Sequence, residues 1–262
     1  MKRIVASAGI IGLALLLSCG GGEETKQNGI LYANAVAEPG YDSLEAGAML
    51  SADVMVDSSD LTLKVNGTEL EIEAGGPYPY FWFGGDVRKA NPSELSFASS
   101  ALGNASASAK IPDSIAVDSP QDGDTLPTGQ DVDVTWDSVA CDFYWFSVDV
   151  YFYDTAGYYL DSRYWYGYTT SLSYTIPKDS LSYPGMAYAE VDFEVNPVFG
   201  PVPAPGAKGN ITGDLEGFFY GVGAGGVASF YVGTPVKLGK TRPHKPSDGK
   251  AFLKGVAELI GR

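Results

Sequence analysis

Val132-Asp133-Val134-Thr135-Trp136 alternates apolar and polar side chains with a period of two. A strand sends successive side chains to opposite faces, so Val132, Val134 and Trp136 share a buried face while Asp133 and Thr135 face water. The pattern recurs on both sides of this stretch. Upstream, Ala48, Leu50, Ala52, Val54 and Val56 alternate with Met49, Ser51, Asp53 and Met55. Downstream, Phe146, Val148, Val150 and Phe152 give one strand its inward face. Long segments of period 3.6 are nearly absent, and Tyr, Thr and Val suit a pleated surface. The chain therefore reads as all-β.

Turn chemistry divides it. Leu61, Leu63 and Val65 lead into Asn66-Gly67, and Leu70 and Ile72 return. Both turn residues tolerate positive φ, which predicts a tight hairpin. A second hairpin is expected at Leu102-Gly103-Asn104, between Leu95 and Phe97 on one arm and Ala105, Ala107, Ala109 and Ile111 on the other. Residues 30–112 then form a first β-sandwich domain. Pro112-Asp113-Ser114 marks a boundary, and residues 113–235 form a second.

Within the second domain the residues resemble a fibronectin type III or immunoglobulin-like sandwich. Val132–Trp136 resembles that family's strand with the buried core tryptophan, Tyr144–Val150 the strand after it, and Leu172–Ile176 a later one. Leu181, Pro184-Gly185 and Tyr188-Ala189-Glu190-Val191 resemble the turn that carries a tyrosine corner, with Tyr188 in that role. The resemblance covers about residues 115–195 and implies antiparallel Ig-like or fibronectin type III-like β-sandwiches in tandem. A Pro- and Gly-rich loop over 196–210 departs from the pattern. Strands near Phe218–Tyr220 and Val227–Val232 would close the sheet.

The amino end says where the chain lives. Lys2 and Arg3 precede an apolar run, Ile4–Leu17, which ends in Leu16-Leu17-Ser18-Cys19. Charge followed by a short apolar core is the layout of a secretory signal, too short for a stable membrane span. Leu16, Ser18 and Cys19 resemble the lipobox of bacterial lipoproteins, and bulky Leu17 departs from it. The resemblance implies residues 1–19 as a signal ending at a lipidated Cys19, hence a membrane partner. Two or more acyl chains hold stably where one does not. Residues 20–29, opening Gly20-Gly21-Gly22, suit a flexible linker. Gly20, rather than an aspartate, after the cysteine implies the outer membrane by the same resemblance. Whether the body faces the periplasm or the surface stays open.

Charge is uneven. Residues 20–236 carry 30 of the chain's 32 acidic residues and 8 of its 17 basic ones. Such a body repels phosphates, so no nucleic-acid partner is expected. The one histidine, His244, lies in the tail, so no Ser-His-Asp or Cys-His site and no histidine-rich zinc site can be assembled. With Cys19 acylated, Cys141 has no disulfide partner and reads as a small buried hydrophobe or a free thiol. Gly221-Val222-Gly223-Ala224-Gly225-Gly226 fits a dinucleotide string but leads into a strand, so it reads as a turn and no cofactor is expected. Asp118, Asp122, Asp124, Asp131, Asp133 and Asp137 are dense, yet lack helix–loop–helix calcium spacing; solvated loops are expected, and no metal.

The most unusual stretch is residues 143–168. Trp145, Tyr151 and Tyr153 would lie on the outer face of one strand. Across a turn at residues 154–157, Tyr159, Asp161, Arg163 and Trp165 would line the same face. Such a surface can stack on sugar rings, though cross-strand aromatic packing, a domain interface or cover by the tail helix is the favoured reading. Residues 236–262 form a basic tail with a short helix after Ser247 or Asp248, bearing Ala251, Phe252, Val256, Leu259 and Ile260 on one side. A mobile end is the favoured reading. A strap onto the acidic body and a helix on lipid or a partner groove are the others. The residues together point to a non-enzymatic, lipid-anchored envelope protein that binds, adheres or scaffolds, with a glycan or another envelope protein as partner. A carboxylate glycosidase or a calcium-dependent hydrolase is the enzyme alternative.

Overall fold

The computed structural model of the chain describes residues 29–38, 40–73, 80–236 and 249–260. Cys19 and His244 lie outside them. The described chain is all-β with one short carboxy-terminal helix, and its strands form sandwiched sheets.

The first sandwich begins with β1 (Gly29–Ala37) and β2 (Ser43–Ala52), then β3 (Thr62–Val65), β4 (Thr68–Glu69) and β5 (Glu71–Ile72). β6 (Tyr80–Arg88), β7 (Ser93–Ser99) and β8 (Gly103–Ala109) follow. β5, β6, β2 and β1 pair antiparallel in one sheet, and β4, β3, β7 and β8 in the other. Both predicted hairpins are present. Asn66 (φ 53°) and Gly67 (φ 79°) make the first turn, and the Asn66 side chain ties it inward, its Oδ1 accepting from the Glu94 amide at 2.8 Å. Leu31, Leu50, Leu63, Phe83 and Phe97 fill the space between the sheets. β2 ends at Ala52, so the expected alternation through Val54 and Val56 stops four residues early and Val54 is exposed.

The second sandwich follows in β9 (Val117–Ser119), β10 (Thr125–Leu126), β11 (Val132–Trp136), β12 (Phe143–Tyr153), β13 (Tyr159–Thr169), β14 (Ser173–Ile176) and β15 (Tyr188–Phe199). β9, β11 and β14 make a three-stranded sheet. β13, β12 and β15 face it. The chain changes sheets from β11 to β12, stays for the β12–β13 hairpin, and changes again to β14 and back to β15, as in an Ig-type Greek key. Trp136 is buried between the sheets, with its ring 5.6 Å from Tyr144 and 5.9 Å from Phe193. This is the core tryptophan that the alternation around it predicts.

After β15 the chain crosses back. β16 (Thr212–Gly213) pairs with β8, and β17 (Glu216–Val222) runs parallel to β1 from Ile30↔Glu216 to Val36↔Val222. Leu215 and Phe219 thereby enter the first core. Two glycines permit the approach. A Cβ on Gly217 would lie 1.8 Å from the Leu31 carbonyl oxygen, and one on Gly221 1.8 Å from that of Lys110. β18 (Gly226–Val232) then returns to pair with β15. The Gly221–Gly226 string is thus a turn between strands. Residues 211–222, which the sequence reading assigns to the second domain, complete the first sandwich instead. β15 is shared: Ala189–Val195 pairs with β18, and Val198-Phe199 pairs with β17. One continuous sheet of ten strands results.

The final element is α1 (Gly249–Ile260). Phe252, Leu253, Val256, Ala257 and Ile260 form its buried side, set on Tyr32, Met49, Trp145, Phe218 and Tyr220. The helix is a docked element, which corrects the expectation of a mobile end. It also explains Met49, which the alternation places outward: α1 covers that face.

Candidate functional site

β12 and β13 build the aromatic surface. Directly paired residues share a face, and the register sets Val148 against Trp165, Val150 against Arg163 and Phe152 against Asp161. Val148, Val150 and Phe152 point into the core, so Trp165, Arg163 and Asp161 are on the inward side. The expected outer row is displaced by one residue. The cause is a β-bulge between Phe152 and Tyr153, where Leu160 is the extra residue and packs on the core. An extra residue inverts every side chain beyond it. The outer face consequently carries Tyr164, Tyr166 and Tyr168, opposite Asp149, Ser147 and Trp145.

Two of the inward three, Arg163 and Trp165, are held by structure. The Arg163 guanidinium sits 5.2 Å over the Phe152 ring and donates to the Asp179 carbonyl oxygen at 2.6 Å. Trp165 Nε1 donates to the Tyr174 hydroxyl at 3.1 Å. Trp145 is on the outer face as expected but only 2% exposed, because α1 covers it. Its ring stacks on Tyr166 at 5.3 Å and meets Phe252 edge-on at 5.1 Å. Tyr166 donates to the Glu258 carboxylate on the helix, and burial with that carboxylate pushes its hydroxyl well above the usual tyrosine range.

Tyr151, Tyr153 and Tyr159 remain together at the far end. Tyr153 stacks on Tyr188 at 5.0 Å and meets Tyr159 edge-on at 6.3 Å. Tyr188, assigned by resemblance to a tyrosine corner, starts β15 and contacts Tyr231 as well, at 6.3 Å. Three rings stand in solvent within seven residues: Tyr158 (72% exposed), Tyr159 (54%) and Tyr164 (52%). Tyr158 and Tyr164 were not singled out from the sequence, because the bulge that turns Tyr164 outward has no signature there.

Beside the rings runs an acidic row. β15 sets Glu190 opposite Tyr151, Asp192 opposite Asp149 and Glu194 opposite Ser147, all on the outer face. Glu190, Asp192 and Glu194 are only 9%, 7% and 4% exposed. Ser229 Oγ donates to Asp192 at 2.5 Å, Tyr153 to Glu190 at 3.3 Å and Asn196 to Glu194 at 2.8 Å. Burial, and then the Glu190 charge, raise the pKa values of Tyr188 and Tyr231. The signal was legible in Glu190-Val191-Asp192-Phe193-Glu194-Val195, which alternates acid with core residue.

Five of the six aspartates weighed for calcium tie loops together. Asp122 accepts from the Ser229 amide, Asp124 from Gln121, Asp131 from Lys178, Asp133 from the Thr175 hydroxyl and Asp137 from Ala116. Among the described residues no group of three or more His, Cys, Asp or Glu side chains is placed to hold a metal ion. Cys141 is a half-buried free thiol at the margin of the second core.

No protein-family model matches the sequence, and no curated protein does. Among solved structures, the chain matches fibronectin(III)-like modules of Clostridium thermocellum CbhA at 10% identity, over 82% of this chain and 96% of that one, with a TM-score of 0.21. A score that low carries no argument; the strand order is what places the second half among Ig-type sandwiches.

Proposed function

We propose that this is a non-enzymatic protein of the bacterial cell envelope, held at the outer membrane by lipid on Cys19, which serves as a binding, adhesion or scaffolding module. Support comes from Leu16-Leu17-Ser18-Cys19 behind a basic and apolar segment, followed by a polar spacer. A pair of acyl chains on such a residue gives lasting attachment. The body behind it is an interlocked β scaffold that exposes three tyrosine rings along one hairpin, a form suited to a tethered recognition module. Mass spectrometry of the mature amino terminus tests the anchor. A diacylglycerol-modified Cys19, and release from the membrane fraction on Cys19→Ser, are expected. An unmodified terminus, or unchanged fractionation, overturns it.

A second reading is glycan capture, favoured by three solvent-exposed rings on the β12–β13 hairpin, Tyr158, Tyr159 and Tyr164. Aromatic faces stack on sugar rings. A glycan array should give a signal that falls at least tenfold in a Tyr159→Ala/Tyr164→Ala protein; an unchanged signal, or none at the outset, removes this reading.

A further inference from the structure

The Pro- and Gly-rich stretch that departs from the Ig-type pattern leaves β15 at Phe199 and builds one wall of a cleft where the two sandwiches meet. Ser108 and Lys110, at the end of β8, and Asp142, just before β12, build the others. The cleft holds about 670 Å³. Small-molecule sites span roughly 300–1,000 Å³ and favour such junctions.

Hydrogen bonds brace the walls. Asn210 uses both ends of its amide on Phe219: Nδ2 donates to the carbonyl at 2.9 Å and Oδ1 accepts from the backbone amide at 2.8 Å. The Asp142 carboxylate accepts from the Gly200 amide at 2.8 Å, and the Asp142 amide donates to the Val198 carbonyl at 2.8 Å. Val202 packs on the core beneath α1. A site fixed in this way has little freedom left to lose on binding.

Two opposite charges line the cleft without meeting. Lys110 Nζ stands 5.9 Å from the centre of the Phe199 ring, and neither Lys110 nor Asp142 forms an ion pair among the described residues. Both side chains are exposed. Residues 20–236 carry 30 acidic and 8 basic side chains, so the body repels a simple anion, while a simple cation finds carboxylates over most of its surface. A zwitterion has no net charge. It enters that field without penalty and then gives each wall its opposite charge. Phe199, Pro201 and Val202 offer an apolar bed for the stem between its two ends.

We infer that this cleft binds a small zwitterion of the amino-acid or short-peptide class, with its carboxylate on Lys110 and its ammonium on Asp142. The cleft lies at the opposite end of β12 from the turn at residues 154–157. It is therefore separate from the exposed tyrosines, and it depends on neither the anchor nor the glycan reading.

Calorimetric titration of the full chain with the dipeptide leucyl-leucine, at about 0.15 M salt, tests the pairing. Binding with Kd of about 1 mM or tighter is expected. It should weaken at least tenfold when the dipeptide is acetylated at its amino end, and at least tenfold when its carboxyl end is amidated. Each variant should lose the reading of one end only. Lys110→Gln should bind the amidated and free dipeptides alike, and Asp142→Asn the acetylated and free dipeptides alike. Both side chains are exposed, so thermal unfolding of the variants should match the native chain. No binding by the free dipeptide, or capped forms binding native protein as well as the free one, overturns the proposal. So does an amidated form that binds tightest to the native chain and both variants, which marks general attraction to the acidic body.

Discussion

At the scale of single residues, two side chains show how local chemistry sets stability. The Tyr220 ring is packed edge-on against Phe143 at 6.1 Å and Phe252 at 5.4 Å, with its hydroxyl buried and without a hydrogen-bond partner among the described residues. Burial, then neighbouring Tyr32, pushes its pKa far above the ordinary tyrosine value. A buried polar group left unsatisfied costs about 1–3 kcal/mol. Tyr220→Phe keeps the ring and removes the hydroxyl, so urea unfolding should show a gain of about 1 kcal/mol; a loss of that size would contradict the packing. Asp60 is the opposite case. Hydrogen bonds from Ser100, Ser99 and Ala101 hold its carboxyl well below the usual carboxylate range. A depressed folded pKa contributes stability that is present above the unfolded value, about 3.9, and lost as pH falls through the folded one. Asp60→Asn should therefore lower the melting temperature at pH 7, with the gap narrowing below about pH 4. A gap independent of pH would show that the carboxylate charge is irrelevant to that loop.

At the scale of elements, α1 behaves as part of the core. Phe252 fills the space between Trp145 and Tyr220, and removing a buried phenylalanine ring costs about 3–5 kcal/mol. Phe252→Ala should lower the urea midpoint accordingly and shift tryptophan emission to the red as Trp145 meets water. A midpoint within about 0.5 kcal/mol of the native protein would mean that the helix is detached in solution. Elements governed by neighbours in sequence were the legible ones. Asn66-Gly67 sets its own turn geometry, and the Val132–Trp136 alternation sets its own buried face. The helix was legible too, but not its seat, which is built from Tyr32, Trp145 and Tyr220 on three distant strands. The bulge at Phe152/Tyr153 was hidden for a different reason. Leu160 is apolar and suits either face, so nothing in the alternation marks it as the extra residue. That single insertion moved Arg163 and Trp165 from the expected ligand face to the core side and brought Tyr164 outward.

At the scale of the whole molecule, the two sandwiches are interlocked rather than strung in series. The first lacks a sheet strand until β17 returns to lie parallel to β1, and it borrows Leu215 and Phe219 for its core. β15 then joins both halves through one sheet. Long-range parallel pairing leaves no local trace in sequence, since residues on β1 and β17 are selected to fit each other and not their chain neighbours. The consequence is one rigid body, so that the exposed tyrosines of the β12–β13 hairpin keep a fixed orientation relative to strand β1.

Interlocking is tested most directly by cutting the chain at the boundary that the sequence alone marks, Pro112. Residues 29–112, expressed alone, should show collapsed amide dispersion by NMR and no cooperative thermal transition, while the full chain unfolds in one transition by every probe. A dispersed spectrum and an independent melt from that fragment would contradict the account, and would mean that the returning strand merely decorates a sandwich already complete.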